Sequence, residues 1–190
     1  MSIALHRTGL TRDEFLDWAG EQEGRFEFDG FEPVAMGGGT LDHDQIGQNL
    51  ILALRSRLQG SPCRVRGPNA GMATIGDTVR YPDALVACAK VAGAARLVPG
   101  VVVVFEVVSL SSGRMDRMVK LREYRAVETI RRYVILEHAI IGLTVLSRGD
   151  GAGDWTATSL LSGDTLRLPE IGVELPVAEL YADVDFSDAA

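Results

Sequence analysis

Apolar residues recur along the chain with two different periods, which predict both helices and strands. The clearest strand covers residues 101–108, where eight mostly β-branched residues follow Pro99 and Gly100 and precede Ser109. A run without alternation is typical of a strand buried on both faces. Its charged member, Glu106, needs a cation or hydrogen-bond donors, because removing a carboxylate from water costs several kcal/mol (on the order of a small domain's stability).

Three segments have the pattern of helices. Thr11 and Glu14 have the spacing of a capping box and open a short helix. Residues 42–59 carry one apolar stripe, formed by Ile46, Leu50, Ala53, Leu54 and Leu58. His43 lies three residues before this stripe and belongs to the same inner face. Residues 114–126 predict the third helix.

Alternation and turn residues predict strands in most of the remaining chain. Residues 25–28 alternate and are followed by Asp29-Gly30, which is typical of a strand entering a hairpin, with Glu27 on the face opposite to the phenylalanines. Further strands are predicted at residues 78–87, 133–136, 143–146, 155–158 and 165–168. The predicted fold is α+β, with an N-terminal helix and hairpin, a central mixed β-sheet flanked by helices and a β-rich C-terminal part.

Length and composition narrow the class of protein. A chain of 190 residues predicts a single domain over residues 1–190, with a core at about 11–181. The chain is 46% hydrophobic and 24% charged, has no apolar run long enough to span a membrane and carries no secretory signal, so we expect a cytoplasmic protein. Cys63 and Cys88 lack metal-ligand spacing, and we expect both to be reduced and buried.

The formal charge of -7 argues against a protein that coats nucleic acid by bulk attraction, but it leaves open a nucleic-acid enzyme. Residues 114–132 hold seven basic and three acidic residues, which is locally +4. This segment is either a surface that faces phosphates or an ordinary solvated helix face.

Two acids on predicted strands form the main candidate site. Pro82 cannot donate to a strand ladder, so the strand is expected to splay at Asp83 and free its carboxylate. If the strands of Asp83 and Glu106 are neighbours, both carboxylates can meet one Mg²⁺ or Mn²⁺ ion. Lys120 could orient a water or neutralise charge at a phosphate, although Asp116 and Lys120 could equally form a surface ion pair.

The order of these residues resembles the Uma2 family, whose members are restriction-endonuclease-like proteins of the PD-(D/E)XK nuclease superfamily. The resemblance runs from about residue 11 to residue 181. It is carried by Glu27 within Phe26-Glu27-Phe28-Asp29-Gly30, His43, Pro82-Asp83, Glu106-Val107-Val108-Ser109, Asp116 and Lys120-Leu121 with Tyr124.

The resemblance implies a restriction endonuclease-like core with Asp83 and Glu106 as metal carboxylates for Mg²⁺ or Mn²⁺. The superfamily usually carries a lysine two residues after the second acid, where this chain has Val108, so Lys120 from the following helix is the expected replacement.

The resemblance also implies that Glu27 and His43 complete the catalytic pocket. Glu27 could instead be a surface acid in a hairpin, and His43 a core histidine bonded to a backbone carbonyl. We expect Tyr124 to pack in the core. Leu110 stands where relatives commonly have proline, which is a departure from the family pattern in the local turn.

The leading functional hypothesis is a divalent-metal-dependent endonuclease acting on nucleic acid, with DNA expected as the partner and a homo-oligomer, for instance a dimer, as the assembly. The alternative is a catalytically silent nuclease fold that acts as a binding or regulatory module, in which Glu106 pairs with Lys120 or an arginine. A third possibility is that Glu106 lies at an exposed strand end without a special role.

Overall fold

The computed structural model of the chain describes residues 9–108, 114–149, 151 and 153–186. Its helices are α1 (Arg12–Gly20), α2 (Leu41–Arg57) and α3 (Arg114–Ala126). The described strands, in chain order, are β1 (Phe26–Phe28), β2 (Pro33–Ala35), β3 (Arg64–Arg66), β4 (Met72–Ala73), β5 (Val79–Arg80), β6 (Ala84–Ala87), β7 (Val101–Val108), β8 (Arg132–Glu137), β9 (Gly142–Arg148), β10 (Trp155–Leu161), β11 (Thr165–Leu168) and β12 (Val173–Pro176).

The main sheet has six strands in the order β10-β9-β8-β7-β6-β3. Strands β7 and β8 are parallel, while every other neighbouring pair in this sheet is antiparallel. A parallel pair needs a crossover connection, and α3 supplies it. The predicted mixed sheet is therefore confirmed, with its centre at the predicted buried strand.

The strand β7 is buried on both faces because a helix covers each of them. Residues of α2 pack with Val103 and Phe105 on one face, whereas Tyr124 of α3 packs with Val104 and Val108 on the other. The predicted stripe of α2 is confirmed, since all five of its residues are buried.

A smaller four-stranded sheet, in the order β2-β1-β5-β4, adjoins the main sheet. Its hairpin pairs Phe28 with Pro33, as the Asp29-Gly30 turn predicts, and Phe28 stacks on Phe15 of α1 with ring centroids 4.9 Å apart. The capping box is also confirmed, because the Thr11 N–H donates to the Glu14 carboxylate at 2.8 Å. These contacts fix α1 and β1 against the strand β5.

The predicted strand over residues 78–87 is two strands, because the chain leaves the ladder at Tyr81-Pro82-Asp83. Strand β5 belongs to the smaller sheet and β6 to the main sheet. Proline, which has no N–H to donate, makes this the point at which the chain passes from one sheet to the other.

The C-terminal part forms the predicted hairpin of β9 and β10 and a second hairpin of β11 and β12. Short 3-10 helices at Pro169–Ile171 and Val177–Tyr181 flank β12. None of the helices in the described residues is long and apolar enough to cross a membrane. The single domain and the cytoplasmic location stay predictions.

The expectation of reduced cysteines is wrong, because Cys63 and Cys88 form a disulfide. The pairing of β3 with β6 puts Arg64 opposite Ala87, so the next residues outward, Cys63 and Cys88, face each other across the ladder. Cys63 is buried and Cys88 is half-buried. Strand pairing, which the chain order does not reveal, brings the two sulfurs together.

The disulfide predicts a redox-dependent stability. It closes a loop of 25 residues, and such a crosslink lowers the entropy of the unfolded chain by an amount worth about 3 kcal/mol. Urea unfolding should show a correspondingly lower free energy of unfolding when dithiothreitol is added. The double variant Cys63→Ala/Cys88→Ala is the control and should not respond to the reductant. If dithiothreitol lowered the free energy of unfolding of both proteins equally, the disulfide would be contradicted.

Candidate active site

The break between β5 and β6 positions the first carboxylate. Asp83 directly precedes β6, and the register of β6 on β7, with Ala84 opposite Phe105, continues to Asp83 opposite Glu106. The Asp83 carboxylate accepts a hydrogen bond of 2.8 Å from the Val107 N–H. The two acids predicted to act together are therefore neighbours across one strand pair.

Glu106 lies inside the fold and has two polar partners on α3. Its side chain is 8% exposed, which contradicts the possibility of an exposed strand end. Its Oε1 atom lies 3.1 Å from Lys120 Nζ and accepts a hydrogen bond of 2.8 Å from the Tyr124 hydroxyl. Tyr124, expected only to pack, is thus a buried hydrogen-bond donor to Glu106.

Burial raises the pKa of the Glu106 carboxyl to about 7. The Lys120 ammonium and the Tyr124 hydrogen bond lower this pKa, but the negative charges of Asp83 and Glu27 raise it again. Because desolvation and two nearby acids disfavour the ionised form, Glu106 titrates near neutral pH.

Lys120 reaches the strand from the helix that follows it. Lys120, Glu123 and Tyr124 are three or four residues apart and therefore lie on one face of α3, which is turned toward the sheet. Val108, at the position where the superfamily usually has lysine, is buried in the core. The helix thus brings an amine to Glu106, and the role of Lys120 as the replacement for the missing lysine stays a prediction.

Glu27 is buried and not a surface acid, so that alternative is wrong. One carboxylate oxygen accepts a hydrogen bond of 3.1 Å from the Tyr81 N–H and lies 3.9 Å from Lys120 Nζ. The other oxygen accepts a hydrogen bond of 3.1 Å from Arg80. Glu27 therefore lies between the two cations and joins the hairpin to α3.

The sequence interpretation missed Arg80 and Glu123, which are buried in the same network. The Arg80 guanidinium donates two hydrogen bonds of 2.7 Å to the Glu123 carboxylate. Burial alone would lower the pKa of Arg80, but the hydrogen bonds and charges of Glu123 and Glu27 raise it. An arginine next to Val79 inside a predicted strand was the available signal, since buried cations require buried anions.

His43 pairs with the other strand acid. Its Nε2 atom lies 3.3 Å from Asp83 Oδ2, and its side chain is 28% exposed, so it is not enclosed in the core. The hydrogen bond to Asp83 raises the pKa of His43 against the opposing effect of burial. Thr40 caps α2 by accepting a 3.2 Å hydrogen bond from the His43 N–H, which fixes His43 on the first turn.

An open cleft of about 850 Å³ gives access to the five predicted site residues. The residues of this cleft that carry the predicted site are Glu27, His43, Asp83, Glu106 and Lys120. Arg25 and Arg117 also line the cleft, and Arg117 forms an ion pair of 3.2 Å with Glu137. The structure brings together all five residues that the sequence singled out.

The basic segment over residues 114–132 is not one surface. Arg117 and Lys120 line the cleft, whereas Arg125 packs over the Trp155 ring and Arg132 forms an ion pair of 2.8 Å with Glu170. Ser109, Leu110 and the side chain of Asp116 lie outside the described part of the chain, so their predicted roles stay predictions.

The carboxylates of Asp83 and Glu106 are the donors that this cleft offers to a divalent ion. Among the described residues, no group of three or more His, Cys, Asp and Glu side chains has metal-binding geometry. Among the described residues, none donates a hydrogen bond to Glu106 Oε2 or Asp83 Oδ1. Two carboxylates with waters satisfy Mg²⁺, so the residues fit such an ion.

Comparison with known proteins gives a family and a relative. A family model described as "Uma2: Putative restriction endonuclease" matches residues 12–178. The "Uncharacterized protein slr1290" of Synechocystis sp. is 26% identical over 180 residues, which cover 93% of this chain and 94% of that protein.

A solved structure has the same fold. The crystal structure of "a putative nuclease belonging to DUF820" from Anabaena variabilis superposes with a TM-score of 0.71 at 14% identity, covering 92% of this chain and 98% of that chain. The predicted restriction endonuclease-like architecture is confirmed by this likeness, which concerns the fold alone.

The raised pKa of Glu106 predicts that stability falls with rising pH. Between its ordinary pKa of 4.5 and about 7, the folded protein keeps a proton that the unfolded chain releases. Raising the pH through this window therefore lowers the free energy of unfolding. Glu106→Gln has no carboxyl at this position and should lack this pH dependence. In urea unfolding, the free energy of unfolding of the variant should therefore rise relative to that of the parent as the pH increases through this window. Parallel pH profiles would contradict a raised pKa.

The Arg80 network predicts a large loss of stability when its cation is removed. Arg80→Met leaves Glu27 and Glu123 buried without their shared partner and should lower the free energy of unfolding by about 3–5 kcal/mol. The matched control is Arg57→Met, which breaks the more exposed pair of Arg57 with Glu179 and should cost about 1 kcal/mol or less. Similar losses in the two variants would refute the importance of burial.

Proposed function

The chain belongs to the Uma2 family, and on this premise we propose that it is a divalent-metal-dependent endonuclease that hydrolyses phosphodiester bonds of nucleic acid. The family description and the nuclease-like fold support a nuclease. The observation that supports metal-dependent hydrolysis is that Asp83, Glu106 and Lys120 line one cleft, with Lys120 Nζ 3.1 Å from Glu106 Oε1.

In this proposal Asp83 and Glu106 hold Mg²⁺ or Mn²⁺ through the oxygens that accept no hydrogen bond from the described residues. A bound divalent ion supplies Lewis acidity toward the phosphodiester oxygens. It also adds positive charge beside three acids, Glu27, Asp83 and Glu106, whose mutual repulsion contributes to the raised pKa of Glu106. Cation binding and deprotonation of Glu106 therefore favour each other.

The chain's own residues orient the carboxylates and the nucleic acid. The Val107 N–H and His43 fix Asp83, while Tyr124 fixes Glu106. Lys120 directs its ammonium into the cleft, where it orients a water or neutralises charge that develops on the phosphate. These contacts fix the polar groups before the substrate arrives.

Around this centre, Glu27 is a positioning residue. It lies between Lys120 and Arg80, at 3.9 Å and 3.1 Å respectively. Arg25, which lines the cleft, supplies positive charge toward the phosphate backbone. DNA is the proposed partner, and the homo-oligomer stays a prediction.

A second candidate function is a catalytically silent nuclease fold that binds or regulates. It is favoured by the partners of Glu106, because Lys120 and Tyr124 both contact its Oε1 atom and partly neutralise the acid without a metal. In this case Glu106 and Lys120 form a structural ion pair and the cleft has no saturable metal site.

The proposed function predicts that Glu106→Gln and Asp83→Asn remain folded but lose Mg²⁺-dependent cleavage of plasmid DNA by about 100-fold or more, because each removes a charge from the metal site. Calorimetry with Mn²⁺ should show a saturable site in the parent and none in either variant. The control is Asp44→Asn, a cleft acid that accepts a hydrogen bond from Gln48, which should retain both properties.

The outcomes separate the two candidates. Cleavage that survives in purified Glu106→Gln would refute the endonuclease assignment. Absence of both cleavage and a Mn²⁺ site in the parent would support the silent module, while a saturable Mn²⁺ site lost in Asp83→Asn would count against that module.

A further inference from the structure

Residues 45–105 carry an excess of positive charge within this acidic chain. Residues 45–105 contain two acids, Asp77 and Asp83. The same stretch contains seven basic residues, which are Arg55, Arg57, Arg64, Arg66, Arg80, Lys90 and Arg96. A local charge of +5 within a chain of net charge -7 requires a physical explanation.

Three of these seven cations are neutralised by acids from elsewhere in the chain. Arg57 pairs with Glu179, Arg80 with Glu123 and Glu27, and Arg96 with Asp17. The other four, Arg55, Arg64, Arg66 and Lys90, are exposed and form no ion pair with any described residue. Their positive charge is therefore available at the surface.

These four cations surround the edge strand β3. Arg64 and Arg66 lie on the strand itself, whose outer edge pairs with no described strand. Together with Lys90 they line a groove on one side, and together with Arg55 they line a second groove on the other. We call Arg55, Arg64, Arg66 and Lys90 the basic edge.

The basic edge leads to the candidate active site. Arg66 lies opposite Leu85, which lies opposite Val104, so Arg66 projects from the same face of the sheet as Glu106. Beyond Arg66 the chain reaches Pro68, which lines the cleft and whose carbonyl accepts a hydrogen bond from Arg25. The segment from Arg64 to Pro68 spans at most about 13 Å, the length it would have in an extended strand.

We propose that the basic edge is an extended binding surface for the phosphodiester backbone of nucleic acid that runs out of the cleft along β3. This inference rests on the proposed function and adds a second contact region to it. Arginines and a lysine that form no ion pair with a described residue bind phosphates irrespective of base sequence and hold the nucleic-acid strand in register with the site. The disulfide next to Arg64 anchors this strand to β6.

Charges on an edge strand also prevent sheets from joining edge to edge, which is the competing explanation of Arg64 and Arg66. The two explanations differ in the sign of the charge that they require. A glutamate blocks edge pairing as well as an arginine does, but it repels a phosphate. Charge reversal therefore separates nucleic-acid binding from edge protection.

The test measures binding of labelled double-stranded and single-stranded DNA oligonucleotides by fluorescence anisotropy, without divalent ions, over a range of salt concentrations. The full-length variant Arg64→Glu/Arg66→Glu should raise the Kd by about tenfold or more and reduce the slope of log K against log salt by about 2. The two DNA forms distinguish duplex from single strand as the source of the phosphates. Size-exclusion chromatography should show the assembly state of the parent.

The matched control is Arg131→Glu/Arg167→Glu, which makes the same change in net charge at two exposed positions away from the cleft. It should change the Kd by about twofold or less because distant charges are screened. The proposal would be overturned if both double variants lost DNA affinity equally, or if Arg64→Glu/Arg66→Glu bound DNA as well as the parent does. The proposal would also be overturned if the parent failed to bind DNA but bound polyglutamate through these arginines. That result would indicate an acidic protein as the partner.

Binding measured without divalent ions separates this inference from the proposed function, because it depends on the basic edge and does not require the metal site. If the parent binds DNA through the basic edge but does not cleave it, the endonuclease assignment fails while the binding surface stands.

Discussion

The carboxylate of Glu106 lies in the interior of the main sheet, and its separation from water constrains the elements around it. An ion in this position costs several kcal/mol unless charges and donors compensate, on the order of the stability of a small domain. Lys120 and Tyr124 provide that compensation from α3, at 3.1 and 2.8 Å. The crossover helix between the two parallel strands is therefore fixed to the sheet by a polar contact as well as by its apolar packing. The compensation is incomplete, as the raised pKa of Glu106 indicates.

The contact between Glu106 and Lys120 continues into a buried chain of alternating charges. It runs from Glu106 through Lys120, Glu27 and Arg80 to Glu123. It joins the main sheet, the smaller sheet and α3, so the relative positions of these elements depend on it. Three anions and two cations leave an excess negative charge, to which Asp83 adds a further one. The divalent cation of the proposed function is complementary to this excess.

The net charge of the chain and the local charge along the edge strand β3 have opposite signs. The net charge is negative, which keeps the protein from attracting nucleic acid indiscriminately. Arg117 and Lys120 at the cleft are paired with Glu137 and Glu106. Exposed cations that form no ion pair with a described residue lie along the edge strand β3. In the segment 114–132, which looked basic in the sequence, Arg125 packs over the Trp155 ring. Arg117 and Arg132 of this segment form ion pairs with Glu137 and Glu170. Local pairing, and not the count of basic residues, decides which arginines can meet a ligand.

The sequence by itself determined the features that depend on neighbouring residues. A β-branched run without alternation predicts a strand buried on both faces, the stripe of α2 predicts its inner side, and Pro82 predicts the break beside Asp83. The tertiary structure alone decided which distant residues meet. The Arg80–Glu123 pair, the Cys63–Cys88 bond and the hydrogen bond from the Val107 N–H to Asp83 join residues 43, 25 and 24 positions apart. Their proximity depends on strand order and register, which follow from the packing of the whole chain and not from any local pattern.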